Sequence, residues 1–237
     1  MKLKPRLAEV ANRIIPESVV VDIGTDHAYL PAHLVMEGIC RKVIGVEKLA
    51  GNLEKAQKTV DLFNLTSRIE LRCGDGFSAI GSDEQVDVAV IAGLGGRTIC
   101  RILQGGAGKL DAFKYFVLQP MSDVYLLRRW LMAHGFCIKN ESLAREKGRF
   151  YEIMVVEKGR QVQPDDFLSE VGPGLIENKD PLLIPYLEEK ISRCERIMNT
   201  LGTARGTTAL RKLRYYKSKG KRLKEVLSLV VATSGSD

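Results

Sequence analysis

At 237 residues, 45% of them hydrophobic, the chain can bury one sizeable core plus a small second one, and its composition excludes a collagen-like, disordered or disulfide-dense secreted protein. No apolar run approaches about 18 residues and the opening MKLKPRL lacks a signal-peptide core, so no membrane partner and no export are expected. The formal net charge of +7 points to a polyanionic partner, while the five cysteines, Cys40, Cys73, Cys100, Cys137 and Cys194, show no CxxC pair and no histidine at ligand spacing, which predicts reduced thiols, a cytoplasmic protein and no metal site.

Leu3, Leu7, Val10, Ala11, Ile14 and Ile15 fall on one helical stripe and predict a short, lid-like helix ahead of the first strand. Val19, Val20, Val21 and Ile23 form a β-branched run suited to a strand buried on both faces, and it stops at Gly24, which can turn with φ > 0. Tyr29, Leu30, His33 and Leu34 then recur at helical spacing, with Pro31 tolerated in the first turn and Gly38 closing the helix. Strand, tight loop and helix place that loop at the carboxyl end of the strand, where open α/β sheets bind ligands. The fingerprint GxGxxG is absent, because Gly24 is followed by Thr25, Asp26 and His27. Extra carboxylate makes a poor diphosphate cradle but suits a ligand with its own cation, such as the amino and sulfonium groups of S-adenosylmethionine. The alternatives are an ordinary strand-to-helix turn with Asp26 as a helix N-cap, and a hydrogen-bonded structural role for His27.

The alternation repeats along the chain. Residues 42–47 read as a second buried strand ending in Glu47, 25 positions after Asp22, where nucleotide-binding folds place the carboxylate that accepts from ribose hydroxyls, the alternative being a solvated glutamate at a strand end. An amphipathic helix over 53–65 leads to a third strand at 69–73 and into Gly74-Asp75-Gly76, which either reaches an adenine edge or is a plain turn. A fourth strand at 86–91 opens into Ala92-Gly93-Leu94-Gly95-Gly96, where backbone faces the site and a flat ligand can approach closely. A fifth strand at 115–119 ends at Pro120, with Ser122 as N-cap of a helix carrying Leu126, Leu127, Trp130 and Leu131. The rhythm then changes: Phe136 to Glu146 and 150–158 are two strands joined only by Lys147-Gly148-Arg149, an antiparallel hairpin. Five α/β units closed by such a hairpin differ from six parallel strands and match class I S-adenosylmethionine-dependent methyltransferases, a Rossmann-like, mostly parallel sheet with an antiparallel hairpin at the edge. In that frame Asp22, Gly24, Thr25, Glu47, Gly74, Asp75, Gly76 and Ala92 are expected to hold the cofactor.

Residues 159–166 form a polar linker, dividing the chain into a catalytic domain over 1–160 and a helical domain over 161–237. Ile184, Leu187, Ile191, Cys194, Met198 and Leu201 repeat at spacings of three and four, as do Ala209, Leu213, Tyr216, Gly220, Leu223, Leu227 and Val230. Two coiled-coil stripes joined through 202–207 predict an antiparallel α-helical hairpin; the same spacing also suits dimerisation, and the chain is read as a monomer. Nine basic residues and no acidic one lie between Arg205 and Lys224: Arg205, Arg211, Lys212, Arg214, Lys217, Lys219, Lys221, Arg222 and Lys224. Such density destabilises a helix unless phosphates bind it, so this face is either an RNA surface, with Tyr215 and Tyr216 adding stacking, or a solvated basic face.

Taken in order, DIGTDHAYLP at Asp22 to Pro31, Glu47 with Gly51, GDGF at Gly74 to Phe77, IAGLGG at Ile91 to Gly96, LQP at Leu118 to Pro120, LRRWL at Leu127 to Leu131, GF at Gly135-Phe136 and YEI at Tyr151 to Ile153 resemble the bacterial tRNA (adenine-22, N1)-methyltransferases. The chain departs from that pattern at Thr25, where Ser is common, at Leu94, where Met is common, and over Lys48-Leu49-Ala50. The resemblance implies methyl transfer from S-adenosylmethionine, leaving S-adenosylhomocysteine, to N1 of an adenine in the D-loop region of tRNA. Beside it, N1 is its own nucleophile, so no metal is required, and the expected catalytic candidates are Asp26 and then His27. Gly93, Leu94, Gly95 and Tyr29 are expected at the target adenine, and Arg205, Arg211, Lys212, Arg214, Lys217, Lys221 and Arg222 on the tRNA. Two rivals remain: a class I methyltransferase acting on a small molecule or protein, and an RNA-binding protein whose Rossmann-like domain has lost its activity.

Overall fold

The β-branched run becomes β1 (Ser18–Ile23), the third strand of a seven-stranded sheet in the order β3-β2-β1-β4-β5-β7-β6. This is seen in a computed structural model that describes residues 1–162, 165–202 and 206–234. β1 pairs in parallel with β2 (Cys40–Glu47) and β4 (Val88–Leu94), β2 with β3 (Ile69–Cys73), and β4 with β5 (Tyr115–Pro120). Successive side chains of a strand point to opposite faces. Val20, Val43, Val88 and Val90 accordingly join one apolar layer with α1 (Pro5–Ala11), α2 (Tyr29–Met36) and α3 (Ala50–Leu62), while Val21, Ile44, Ala89 and Ile91 join the other with α4 (Gly96–Gly105) and α5 (Val124–Ala133).

The hairpin forms as its short connection requires. β6 (Phe136–Glu146) turns through Lys147 at φ +50° and Gly148 at φ +76° into β7 (Arg149–Lys158), two left-handed residues that match the twist of a tight hairpin. The returning strand β7, not β6, pairs antiparallel with β5 and leaves β6 at the edge. Several boundaries differ from expectation, three of them near the site or its supports. Helix α3 begins at Ala50, earlier than its apolar stripe. Strand β4 runs on through Gly93 to Leu94, with a register shift against β5 between Ala92 and Leu94. Ser122 does not cap α5: Asp123 stands there at φ +54°, and the Ser122 carbonyl is drawn instead to the Gly96 N–H (2.9 Å), tying the loops after β4 and β5 together.

The chain divides into two units, Met1–Pro164 and Asp165–Asp237. The second holds α6 (Asp166–Val171), α7 (Pro173–Glu177) and two long helices, α8 (Leu183–Gly202) and α9 (Thr207–Ser234), packed on one another. Leu187, Ile191 and Cys194 of α8 and Gly220 and Leu223 of α9 are buried, as the two stripes require.

Candidate active site

The carboxyl ends of β1, β2 and β4 and the loop after β3 open into one cleft of about 1120 Å³ in the first unit. The chain leaves β1 through Gly24 at φ +79°, a conformation open to glycine, and the N–H groups of Gly24 and Thr25 both donate to the Val46 carbonyl (2.8 and 3.1 Å). Two non-glycine residues then follow in the left-handed region, Asp26 at φ +48° and Ala28 at φ +54°. Such residues cost about 1–3 kcal/mol each and persist where their surroundings over-determine them. The surroundings here are the Thr25 carbonyl, which accepts from Ala28 N–H (2.9 Å), and the Glu47 carboxylate, which accepts from Asp26 N–H (3.3 Å). Ala28, not Asp26, occupies the N-cap of α2, and no side chain caps that helix. The capping alternative for Asp26 is therefore excluded, and its carboxylate stays exposed at the cleft, 3.8 Å from His27 Nε2. The His27 ring stacks on Tyr29, centroids 5.2 Å apart and planes 5° from parallel.

Acid is concentrated below this loop. Asp22 is 5% exposed, and burial, reinforced by the nearby Glu47 charge and partly offset by the Thr25 hydroxyl, lifts its pKa to about 6. Glu47 binds backbone on both sides of itself, with Leu49 N–H at 2.9 Å on one oxygen and Asp26 N–H on the other. On the next loop Asp75 is paired with Lys48 (2.6 Å), both largely exposed, a contact worth well under 1 kcal/mol on its own.

The opposite wall is made by the loop after β4. Gly93 takes φ +80° at the register shift; its N–H donates to Gln119 Oε1 (3.1 Å), and a side chain there would meet the Arg6 guanidinium at 3.5 Å. Gln119 is fully buried and also accepts from Arg6 Nη1 (2.5 Å). Buried amides keep such bonds because an unpaired one is costly. The Leu94 carbonyl accepts from Met121 N–H, and the Gly95 carbonyl from Thr98 and Ile99 N–H, so this loop has fewer free backbone groups than its glycine content suggests.

The cleft brings together Asp22, Gly24, Thr25, Asp26, His27, Tyr29, Glu47, Gly74, Asp75, Gly76, Ala92, Gly93 and Leu94. Gly95 falls outside its lining, at the N-cap of α4. The basic residues of α9 lie in the second unit, where Arg211, Lys212, Arg214 and Lys217 are exposed and make no ion pair among the described residues. Lys221 pairs with Glu225 (3.8 Å) and Arg222 with Asp165 (2.6 Å) while lying over the Phe167 ring, so Arg222 already has a partner of its own. Arg205 lies outside the described residues. Sequence reasoning missed the N-terminal wall, where Leu3 and Arg6 join the lining, and Glu146 at the hairpin tip, which accepts from Arg6 N–H (3.3 Å).

Set beside known proteins, residues 20–225 match a family model described as tRNA (adenine(22)-N(1))-methyltransferase. A curated Bacillus subtilis protein of that name is 32% identical over 233 residues, 96% of this chain and 98% of its own length. Two solved structures show the same fold with ligand present. A Streptococcus pneumoniae protein in complex with S-adenosyl-L-methionine superposes with a TM-score of 0.84 at 34% identity, over 95% of this chain and 100% of its own. The M. capricolum TrmK in complex with S-adenosyl-homocysteine does so with a TM-score of 0.80 at 27% identity, over 97% and 100%.

Proposed function

The chain belongs to the tRNA (adenine(22)-N(1))-methyltransferase family, and on that premise we propose which of its residues carry the reaction. The enzyme transfers a methyl group from S-adenosylmethionine to N1 of adenine 22 in tRNA. The cofactor supplies a methyl already activated on a sulfonium, and adenine N1 brings its own lone pair. What remains for the protein is alignment, exclusion of water and control of charge.

The residues of the cleft fit that cofactor, since a buried acid, a strand-end glutamate with its oxygens turned to loop N–H groups and an open glycine loop suit a ligand with a cation, a ribose and a purine. Asp22 faces the cationic amino-acid part, Glu47 takes ribose hydroxyls, and Gly74-Asp75-Gly76 with Ala92 borders the adenine. The target base, unpaired so that its Watson–Crick edge is free, lies between Tyr29 and the backbone at Gly93 and Leu94. Methylation leaves the ring cationic, and Asp26 stabilises that charge or accepts a proton from the exocyclic amine, with His27 as its neighbour. The observation that carries this assignment is the Asp26 loop itself, held left-handed by Glu47 with its carboxylate in the cleft that also contains the Gly93 turn. Arg211, Lys212, Arg214, Lys217 and Lys221 of the helical unit hold the tRNA backbone, a role that Arg205 and Arg222 share. The chain works as a monomer in the cytoplasm; in the structure all five cysteines are free, and no described helix is long and apolar enough to cross a membrane.

Incubating the purified chain with labelled S-adenosylmethionine and a cell extract tests the substrate class. Label is expected in small RNA; label in protein or in a dialysable product instead would favour the rival reading.

A pH dependence follows from Asp22. Its carboxyl must be ionised to meet a cation, yet in the free protein it titrates at about 6. Cofactor affinity should be level above pH 7 and fall as pH drops through 6, by about tenfold for each further unit, because binding must then expel a proton. Asp22→Asn is expected to bind more weakly at pH 7.5 and to lose that slope. Calorimetric titration between pH 5 and 8 checks both.

A further inference from the structure

The N-terminal segment bears on how the substrate is held. Residues 1–4 precede α1 with Lys4 in extended conformation (φ −68°, ψ 152°), and Leu3, only 8% exposed, belongs to the core. In an extended chain neighbours point to opposite sides. Lys2 and Lys4 are accordingly both exposed, and both line the cleft. The segment is tied down at its two ends: the Met1 carbonyl lies 3.3 Å from His33 Nδ1, and Arg6 is fixed by Gln119 Oε1 through its guanidinium and by Glu146 through its backbone N–H. Among the described residues neither lysine side chain makes an ion pair or a hydrogen bond, whereas two of the acids lining the cleft are already engaged, Asp75 with Lys48 and Glu47 with loop N–H groups. Two uncompensated cations thus rim a cleft whose floor is acidic.

We propose that Lys2 and Lys4 form a phosphate clamp, taking the backbone phosphates that flank the target adenosine when its base enters the cleft. The proposal rests on the tRNA reading given above and extends it to the catalytic unit. The acidic floor receives a cationic cofactor, and the basic rim receives a polyanion. Two residues apart in extended chain, the lysines stand about 7 Å from each other along the backbone, enough to engage two phosphates. Drawing a base out of its stack costs energy, and contacts made only by the extruded nucleotide offset that cost where it arises. The basic stripe of α9 would bind tRNA without regard to that base; the clamp ties binding to the nucleotide being modified.

The test uses the full chain with Lys2→Gln and Lys4→Gln together, both exposed positions, and with Lys2→Arg and Lys4→Arg as the charge-keeping control. Steady-state methylation of tRNA and direct tRNA binding are measured between 50 and 200 mM salt, and S-adenosylmethionine binding by calorimetry. The glutamine pair is expected to raise KM for tRNA about tenfold at the upper salt and to flatten the slope of log affinity against log salt by about 1.4, two contacts at about 0.7 each for single-stranded nucleic acid. Cofactor affinity should stay unchanged, and the arginine pair should restore KM. Unchanged tRNA affinity and salt slope overturn the clamp, and so does a rise confined to the cofactor Kd, which would assign the lysines to a carboxylate. A wild-type chain that neither binds nor methylates tRNA would contradict the functional reading beneath, a different result from an active wild type with unaffected variants.

Discussion

Asp26→Asn is expected to lower the rate of methyl transfer in a single turnover by about 10²-fold while leaving cofactor affinity within about twofold. The substitution isolates charge. Asparagine has the same shape, tolerates the left-handed φ of +48° better than most residues, and keeps the backbone N–H that binds Glu47 Oε2. The loop should therefore hold its conformation, with only the countercharge to the methylated ring removed. Asp26→Ala adds strain at the same φ and should cost loop order as well. Rapid-quench assays at saturating cofactor and tRNA measure the chemical step, and full turnover by Asp26→Asn with normal binding would remove Asp26 from the reaction.

The largest stability effect is expected outside the cleft lining. Arg128 of α5 is 1% exposed; its Nε donates to Glu141 Oε1 (2.7 Å) on β6, and its Nη2 donates to Glu152 on β7. Both glutamates are buried as well. Arg128→Leu would take from two buried carboxylates the guanidinium that both of them bind, a loss of about 3–5 kcal/mol. Against a total stability of about 5–15 kcal/mol that amount is severe. A fall of about 10 °C in melting temperature is the expected reading. Replacing all three by apolar residues of similar volume should recover most of the loss, because no charge is then left unpaired. Equal melting temperatures for wild type and Arg128→Leu would show that the triad contributes nothing.

How legible all this was depends on distance along the chain. The strands announced themselves through β-branched runs, and the hairpin through a connection too short for a crossover; both are local properties. Asp22, Glu47, Gly74 and Gly93 could be placed because each stands at the end of its own strand, and parallel strands in one sheet bring those ends together. Arg6 could not, since its partners Gln119 and Glu146 lie 113 and 140 positions away. The same holds for Lys2 and Lys4, ordinary charges in sequence that become a rim only once Leu3 is seated in the core. Arg128 sits in a stretch quoted for its family pattern, but a charged residue on a helix is read as solvated unless its partners are visible. Ser122 looked like a cap because serine is a good one; the tie between its carbonyl and Gly96 took precedence. On α9 the charge was plain in the sequence, whereas the pairing of Arg222 with Asp165 required the folded unit.

The most direct measurement is nucleoside analysis of a tRNA transcript after reaction with the purified chain and labelled S-adenosylmethionine, run beside a transcript that carries guanosine in place of the target adenine. The expected result is one 1-methyladenosine per tRNA, mapped to adenine 22, and none in the guanosine transcript. Label at N6 of adenine, at another nucleotide, or equally in both transcripts would contradict it.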